Sequence, residues 1–109
     1  IGYFLTGVLD GEGSFGFKKN RDRQQPYFAV AMKDRKIIEL CREFLQHGKV
    51  RHRKDGVYHY EINHPQVLQK VCQLFLTQYP LRHARQRERM TKLQRLLNDY
   101  TQNSTKRIY

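Results

Sequence analysis

A chain of 109 residues is long enough for one compact domain and too short for two, so a large or symmetric site has to come from self-association. Its 21 Lys and Arg stand against 10 Asp and Glu, and a formal net charge of +11 repels itself unless a polyanion neutralises it, which points to nucleic acid. No apolar run approaches the length of about twenty residues that spans a membrane, and no single helix is basic on one face and aromatic on the other, so a membrane partner is set aside.

From Ile1 to Gly11, Phe4, Leu5, Val8 and Leu9 recur at helical spacing without a proline, and Gly13 just beyond is a natural helix stop. The pattern then changes to a period of two over Ser14 to Lys19, with Phe15 and Phe17 on one face, which is a strand. A charged connection from Asn20 to Gln25 leads to Pro26 and a second alternating run with Phe28, Val30 and Met32 on one face, so a hairpin with a long loop is expected. Asp34 stands where a helix cap belongs. The apolar stripe Ile37, Ile38, Cys41, Phe44 and Leu45 follows it and ends at Gly48.

Two further strand-like stretches, Lys49 to Lys54 and Gly56 to Ile62, flank the turn signal Asp55-Gly56, and a tighter hairpin is expected there. Pro65 opens a helix carrying Val67, Leu68, Val71, Leu74 and Phe75 inward, and Pro80 closes it. A last basic helix runs from about Arg82 to Leu97 with Met90, Leu93, Leu96 and Leu97 inward. The expectation is an α+β domain over residues 1–100, four antiparallel strands carrying helices on one face, and a loose polar tail over 101–109.

Cys41 and Cys72 sit among apolar residues as small buried hydrophobes of a reducing, intracellular compartment. His47, His52, His59, His64 and His83 match no zinc spacing, so no structural zinc is expected.

With Phe15, Phe17, Phe28, Val30, Val50, Tyr58, Tyr60 and Ile62 turned to the helices, the other sheet face presents Ser14, Gly16, Lys18, Asn20, Gln25, Tyr27, Ala29, Lys49, Arg51, Arg53, His59 and Glu61. Taken alone, such a face is equally the outer surface of a half-exposed sheet. The surplus of positive charge decides for nucleic acid, with Arg21 and Arg23 of the connection added as contacts. Stacking on single strands needs aromatics on that face, where only Tyr27 stands, so duplex is the expected partner.

The segment Leu5-Thr6-Gly7-Val8-Leu9-Asp10-Gly11-Glu12-Gly13 carries the chemistry. Gly7 and Gly11, four apart, share a helix face on which a second backbone can lie close, and two copies of this helix can pack there through Leu5, Gly7, Val8 and Gly11. Glu12 ends the helix where the macrodipole disfavours an anion, and beside a two-fold axis it meets its own mate. Such a pair of carboxylates invites a divalent cation, for which Mg²⁺ is suited. Asp10 points to another face and is expected to cap or pack.

This stretch, LTGVLDGEG followed by SF, resembles the LAGLIDADG motif of the homing endonucleases, and YFAVAMKD, GKV and YPLR extend the resemblance over nearly the whole chain. The resemblance implies an αββαββα core, a motif helix at the dimer interface, a curved sheet in the DNA major groove, and a motif carboxylate on the metal beside the scissile phosphate. That carboxylate matches Glu12, with the Gly11 carbonyl as a second Mg²⁺ or Mn²⁺ donor. One motif resembles the homodimeric members, which cleave long palindrome-like sites by in-line attack of a metal-activated water, and implies an organelle or a prokaryotic cytoplasm as the setting. Family members often carry a polar residue, commonly Gln, where this chain has Met32, and a Lys where it has Ala84. Arg82 or Arg85 is the expected substitute cation. These two departures keep open a non-cleaving DNA- or RNA-binding module, such as an intron maturase or a regulator.

Overall fold

The computed structural model describes the backbone of residues 1–107 and the side chains of residues 1–100. The chain runs α1 (Gly2–Glu12), β1 (Gly13–Asn20), β2 (Arg23–Met32), α2 (Arg35–Leu45), β3 (Lys49–His52), β4 (Tyr58–Ile62), α3 (Pro65–Gln73), a π-helical turn (Leu74–Gln78) and α4 (Ala84–Arg107). The strands form an antiparallel sheet in the order β1-β2-β4-β3, the α+β arrangement expected. Phe15, Phe28, Val30, Tyr60 and Ile62 from the sheet meet Leu5 and Leu9 of α1, Ile38 and Cys41 of α2, Leu68, Val71 and Cys72 of α3, and Met90, Leu93 and Leu97 of α4. Phe17, Val50 and Tyr58 pack at the margin of this core. Among the described residues no helix is long and apolar enough to cross a membrane.

The two hairpins exchange the characters expected of them. The first is the tight one: Asn20 pairs with Arg23, so only Arg21 and Asp22 turn the chain, and Arg21 takes a left-handed φ of 59°. The polar run is strand rather than loop because the ribbon projects into solvent, where charged side chains suit both faces. Pro26, expected to open β2, lies inside it. Its carbonyl accepts from Asn63 Nδ2 at 3.1 Å, beyond the end of β4, so the N–H it lacks withdraws no bond from the ladder. The second hairpin has shorter strands and a wider turn, in which Arg53 N–H donates to the Val57 carbonyl at 2.8 Å and Asp55 accepts from the Val57 N–H at 3.1 Å. Gly56 supplies the positive φ of 85° that this turn requires.

Asp34 caps α2 as expected, accepting from the Ile37 N–H at 3.2 Å. The helix stops at Leu45, earlier than the Gly48 signal, because Gln46 adopts the left-handed conformation (φ 60°) and closes the last turn onto the Arg42 carbonyl. Gly48 serves the next step. At φ 102° it lets the chain pass so close to β4 that a Cβ would lie 2.9 Å from the Glu61 carbonyl. α4 begins at Ala84 and its backbone stays helical to Arg107, into the segment read as a loose tail. Residues 108 and 109, and the side chains of 101–109, lie outside the described residues.

Candidate active site and nucleic-acid interface

The C-terminal end of α1 is fixed by the start of the last helix. Gln86 Nε2 donates to the carbonyls of Leu9 at 2.7 Å and Gly13 at 2.9 Å. Asp10 accepts from the backbone N–H groups of Arg82 and His83, each at 3.1 Å, which ties the segment just before α4 to the end of α1 and gives it the packing role expected as one of its two readings. Gly13 is extended (φ −73°) rather than left-handed, so it does not end α1 in the way a C-terminal glycine usually does. Space is what it provides, since a Cβ would lie 2.7 Å from the Leu9 carbonyl and 2.9 Å from the Phe15 ring.

Gln86 is absent from the sequence-based candidates although it is only 5% exposed. A polar residue four positions before Met90, in line with Leu93 and Leu97, is the signal that could have found it. Asp10→Ala is expected to lower stability by about 1.5 kcal/mol, the lower end for hydrogen bonds to a charged group. An unchanged urea midpoint would deny Asp10 that role.

Glu12, the last residue of α1, is exposed, and its side chain makes no hydrogen bond or ion pair with the described residues. Arg82 and Arg85 are exposed on the segment that Asp10 and Gln86 hold against this helix end, so the structure brings both candidate cations to the junction that carries Glu12. A free carboxylate without a competing partner, together with the neighbouring Gly11 carbonyl, is a hard oxygen donor set of the kind Mg²⁺ and Mn²⁺ take. Asp10 is not available to it. Among the described residues no three His, Cys, Asp or Glu side chains converge.

The outer face of α1 is bare. A Cβ on Gly7 or Gly11 would meet nothing within 4 Å, and Phe4 beside them is 52% exposed. Val8 is half-buried on the same side. Leu5, expected at an interface with Gly7, Val8 and Gly11, is instead 1% exposed inside the chain's own core, because its position on the helix is opposite the glycines. Phe4 takes its place on the free face.

On the sheet, register bears out the expected alternation: Ser14 stands beside Ala29, Gly16 beside Tyr27, Lys18 beside Gln25 and Asn20 beside Arg23, while Lys49 pairs with Glu61 and Arg51 with His59. Ala29 is buried at 6% exposure although it belongs to this open face, since its cross-strand neighbours Ser14 and Glu61 overhang it. Ser14 Oγ donates to Tyr27 Oη at 3.3 Å, and Lys18 Nζ lies 5.4 Å from the Tyr27 ring centroid. Glu61 is the one carboxylate among these candidates, and it binds Lys18, His59 and Asn63. Burial alone would raise its pKa, but the hydrogen bonds from those three side chains prevail and hold it at about 2. Arg53 pairs with Asp55 at 2.8 Å on the surface. Arg21, Arg23, Lys49 and Arg51 are exposed with no carboxylate partner among the described residues, so four cations on this side await one. Burial raises the thiol pKa of Cys41 to about 11 and that of Cys72 to about 12, which leaves both cysteines inert in the core.

The profile of the LAGLIDADG endonuclease family matches residues 5–90. A probable intron-encoded DNA endonuclease of Mycosarcoma maydis is 32% identical over 77 residues, which is 66% of this chain and 29% of that protein. The fold superposes on the LAGLIDADG meganuclease I-CpaMI bound to uncleaved DNA with a TM-score of 0.83 and 25% identity, covering 95% of this chain and 39% of that one. The homing endonuclease I-TnaI gives a TM-score of 0.80 and 26% identity, with 94% and 75% covered. The chain thus spans well under half the length of the curated relative and of the first of these structures.

Proposed function

The chain belongs to the LAGLIDADG endonuclease family, and from that we propose that it is a site-specific endonuclease, hydrolysing phosphodiesters of a long pseudo-palindromic duplex site as a homodimer. The observation that carries this reading is Glu12: an unpartnered carboxylate at a helix end that two hydrogen-bonded anchors hold in place, next to a bare glycine face. Packing of two such faces puts two Glu12 residues on either side of a two-fold axis, one for each DNA strand.

Glu12 and the Gly11 carbonyl would hold Mg²⁺ or Mn²⁺, which when bound supplies Lewis-acid stabilisation and a more acidic water. Arg82 and Arg85 place positive charge at the same junction and offset the charge that develops on the phosphate oxygens. The open sheet face positions the duplex, its cations meeting phosphates and its Asn, Gln and Arg side chains offering donors to base edges. Cleavage of individual members of a randomised duplex library in Mg²⁺ is the direct test. Retention of particular sequences without cutting any of them would replace an endonuclease by a binding module. That second reading is favoured by Met32, which is half-buried and packs toward the core where the motif resemblance implies a polar side chain, and by Ala84, which offers no charge at all.

Neutralising Arg51 and Arg53 together is expected to flatten the dependence of log affinity on log salt by about 0.9 for each phosphate that they cease to neutralise. Arg51 should account for most of the change, because Arg53 is partly neutralised by Asp55. Titrations at several salt concentrations check this. An unaltered slope would turn both arginines toward solvent.

A further inference from the structure

A carboxylate in the middle of a surface suited to a polyanion opposes binding, so Glu61 calls for an explanation of its own. Both of its oxygens are occupied. Oε1 lies 2.9 Å from His59 Nε2, and Oε2 accepts from Lys18 Nζ and from Asn63 Nδ2, each at 2.7 Å. The side chain is only 17% exposed, which leaves little of it to receive the amino group of a base. The donors around it are turned outward: Lys18 is 44% exposed and His59 23%. Held at about 2, the carboxylate keeps its charge at neutral pH, and the cluster ties β1 to β4 across β2.

Building on the duplex-binding reading above, we infer that Glu61 is a positioning residue for sequence specificity: it withholds Lys18 from phosphate and aims it, beside His59, at base edges. An unpaired lysine binds phosphate on every sequence alike and adds affinity without discrimination. A lysine tethered to a half-buried carboxylate has to leave its partner to follow the backbone, and gives up that ion pair. It can still direct a remaining N–H of its ammonium group to an acceptor in the groove, such as the O6 and N7 of guanine, without leaving. Selection here comes from a penalty on the wrong partner, and the carboxylate is what imposes it.

Glu61→Gln preserves size and hydrogen-bonding reach while removing the charge. Its affinity for a random duplex at about 0.1 M salt is expected to rise by up to about tenfold, the gain from one further phosphate neutralised. Its log–log salt slope should steepen by about 0.9, the signature of one more neutralised phosphate. Affinity for a target selected from the library should change much less, so the ratio of the two falls. In the same background Lys18→Gln should abolish the gain and return the slope to the wild-type value. Thermal melts run alongside establish that each variant folds. If Glu61→Gln does not fold, Lys18→Gln alone decides: it should weaken target binding and leave the random duplex unaffected. Weakening of both would overturn the inference. So would a Glu61→Gln protein that keeps its random-duplex slope and loses discrimination at one base pair, for Glu61 would then read that base itself. A gain that survives Lys18→Gln would reduce the effect to long-range charge and overturn it equally. Wild-type protein that binds no duplex in a salt-dependent way would fail earlier, at the duplex reading, and this inference would go with it.

Discussion

Glu12→Gln is expected to give a protein that folds, dimerises and binds duplex as before, and that cleaves it more slowly by several orders of magnitude, because charge stabilisation supplies most of the acceleration in such hydrolysis. The separation of chemistry from binding follows from where Glu12 sits. Its side chain makes no hydrogen bond or ion pair with the described residues, so a neutral isostere disturbs none, and the cations proposed to hold DNA lie on the sheet. An anion at a helix C-terminus also gains nothing from the macrodipole. Removing it should therefore leave the melting temperature level or slightly higher, the more so if two such groups face each other across an axis. The measurement is single-turnover cleavage in Mg²⁺, with binding measured in Ca²⁺, a larger ion that fills oxygen sites without the same catalytic competence. Chelation of divalent ions should reproduce the effect in the wild type. Wild-type rates from Glu12→Gln would end the carboxylate mechanism.

Gly11→Leu should convert the proposed dimer to monomer. Within one chain a Cβ at that position meets nothing within 4 Å, and leucine is a better helix former than glycine by somewhat under about 1 kcal/mol. Between two helices packed on their glycine faces it is a bulky insertion, repeated by symmetry, of the kind that costs about 1–3 kcal/mol at each occurrence in a well-packed interface. The two effects have opposite signs, so the monomer should melt no lower than a dissociated wild-type chain even as sedimentation shows the dimer gone. Gly2→Leu offers a contrast: a Cβ there would fall 2.4 Å from the Tyr79 ring, and the substitution should damage the fold itself. A Gly11→Leu protein that sediments as the wild-type dimer would remove α1 from the interface.

Local pattern makes most elements readable. Alternation at Phe15 and Phe17, and at Phe28 and Val30, marks β1 and β2, and the Asp34 cap fixes the start of α2 as the structure has it. Boundaries go astray where solvent or distant partners override local preference. The run Asn20 to Gln25 is polar because the ribbon is exposed on both sides, and polarity alone reads as a loop. The π-helical turn at Leu74–Gln78 has no pattern of its own, as its apolar residues fit a continuing α-helix. At the site, Glu12, Gly7, Gly11 and Asp10 are legible because they break a helix rule or sit at a fixed spacing. Leu5 falls on the wrong side in such a reading, because a short motif shows which residues share a helix and not how that helix is rotated on its core. Gln86 shows locally only as a polar residue in line with Met90, Leu93 and Leu97, and no local rule names its partners Leu9 and Gly13, which are 77 and 73 residues away.

That separation has a kinetic side. The hydrogen bonds that fix the end of α1 join Asp10 to Arg82 and His83, and Leu9 and Gly13 to Gln86, across 72 to 77 residues. Closing a loop of that length costs roughly 4 kcal/mol of chain entropy, more than any one of these bonds returns, so they form only after the sheet has brought the two segments together. On the ribosome α1 emerges well before the last helix and waits for it. Until residue 86 is free to fold, the end of α1 has none of these anchors, and a product truncated before Arg82 would never acquire them.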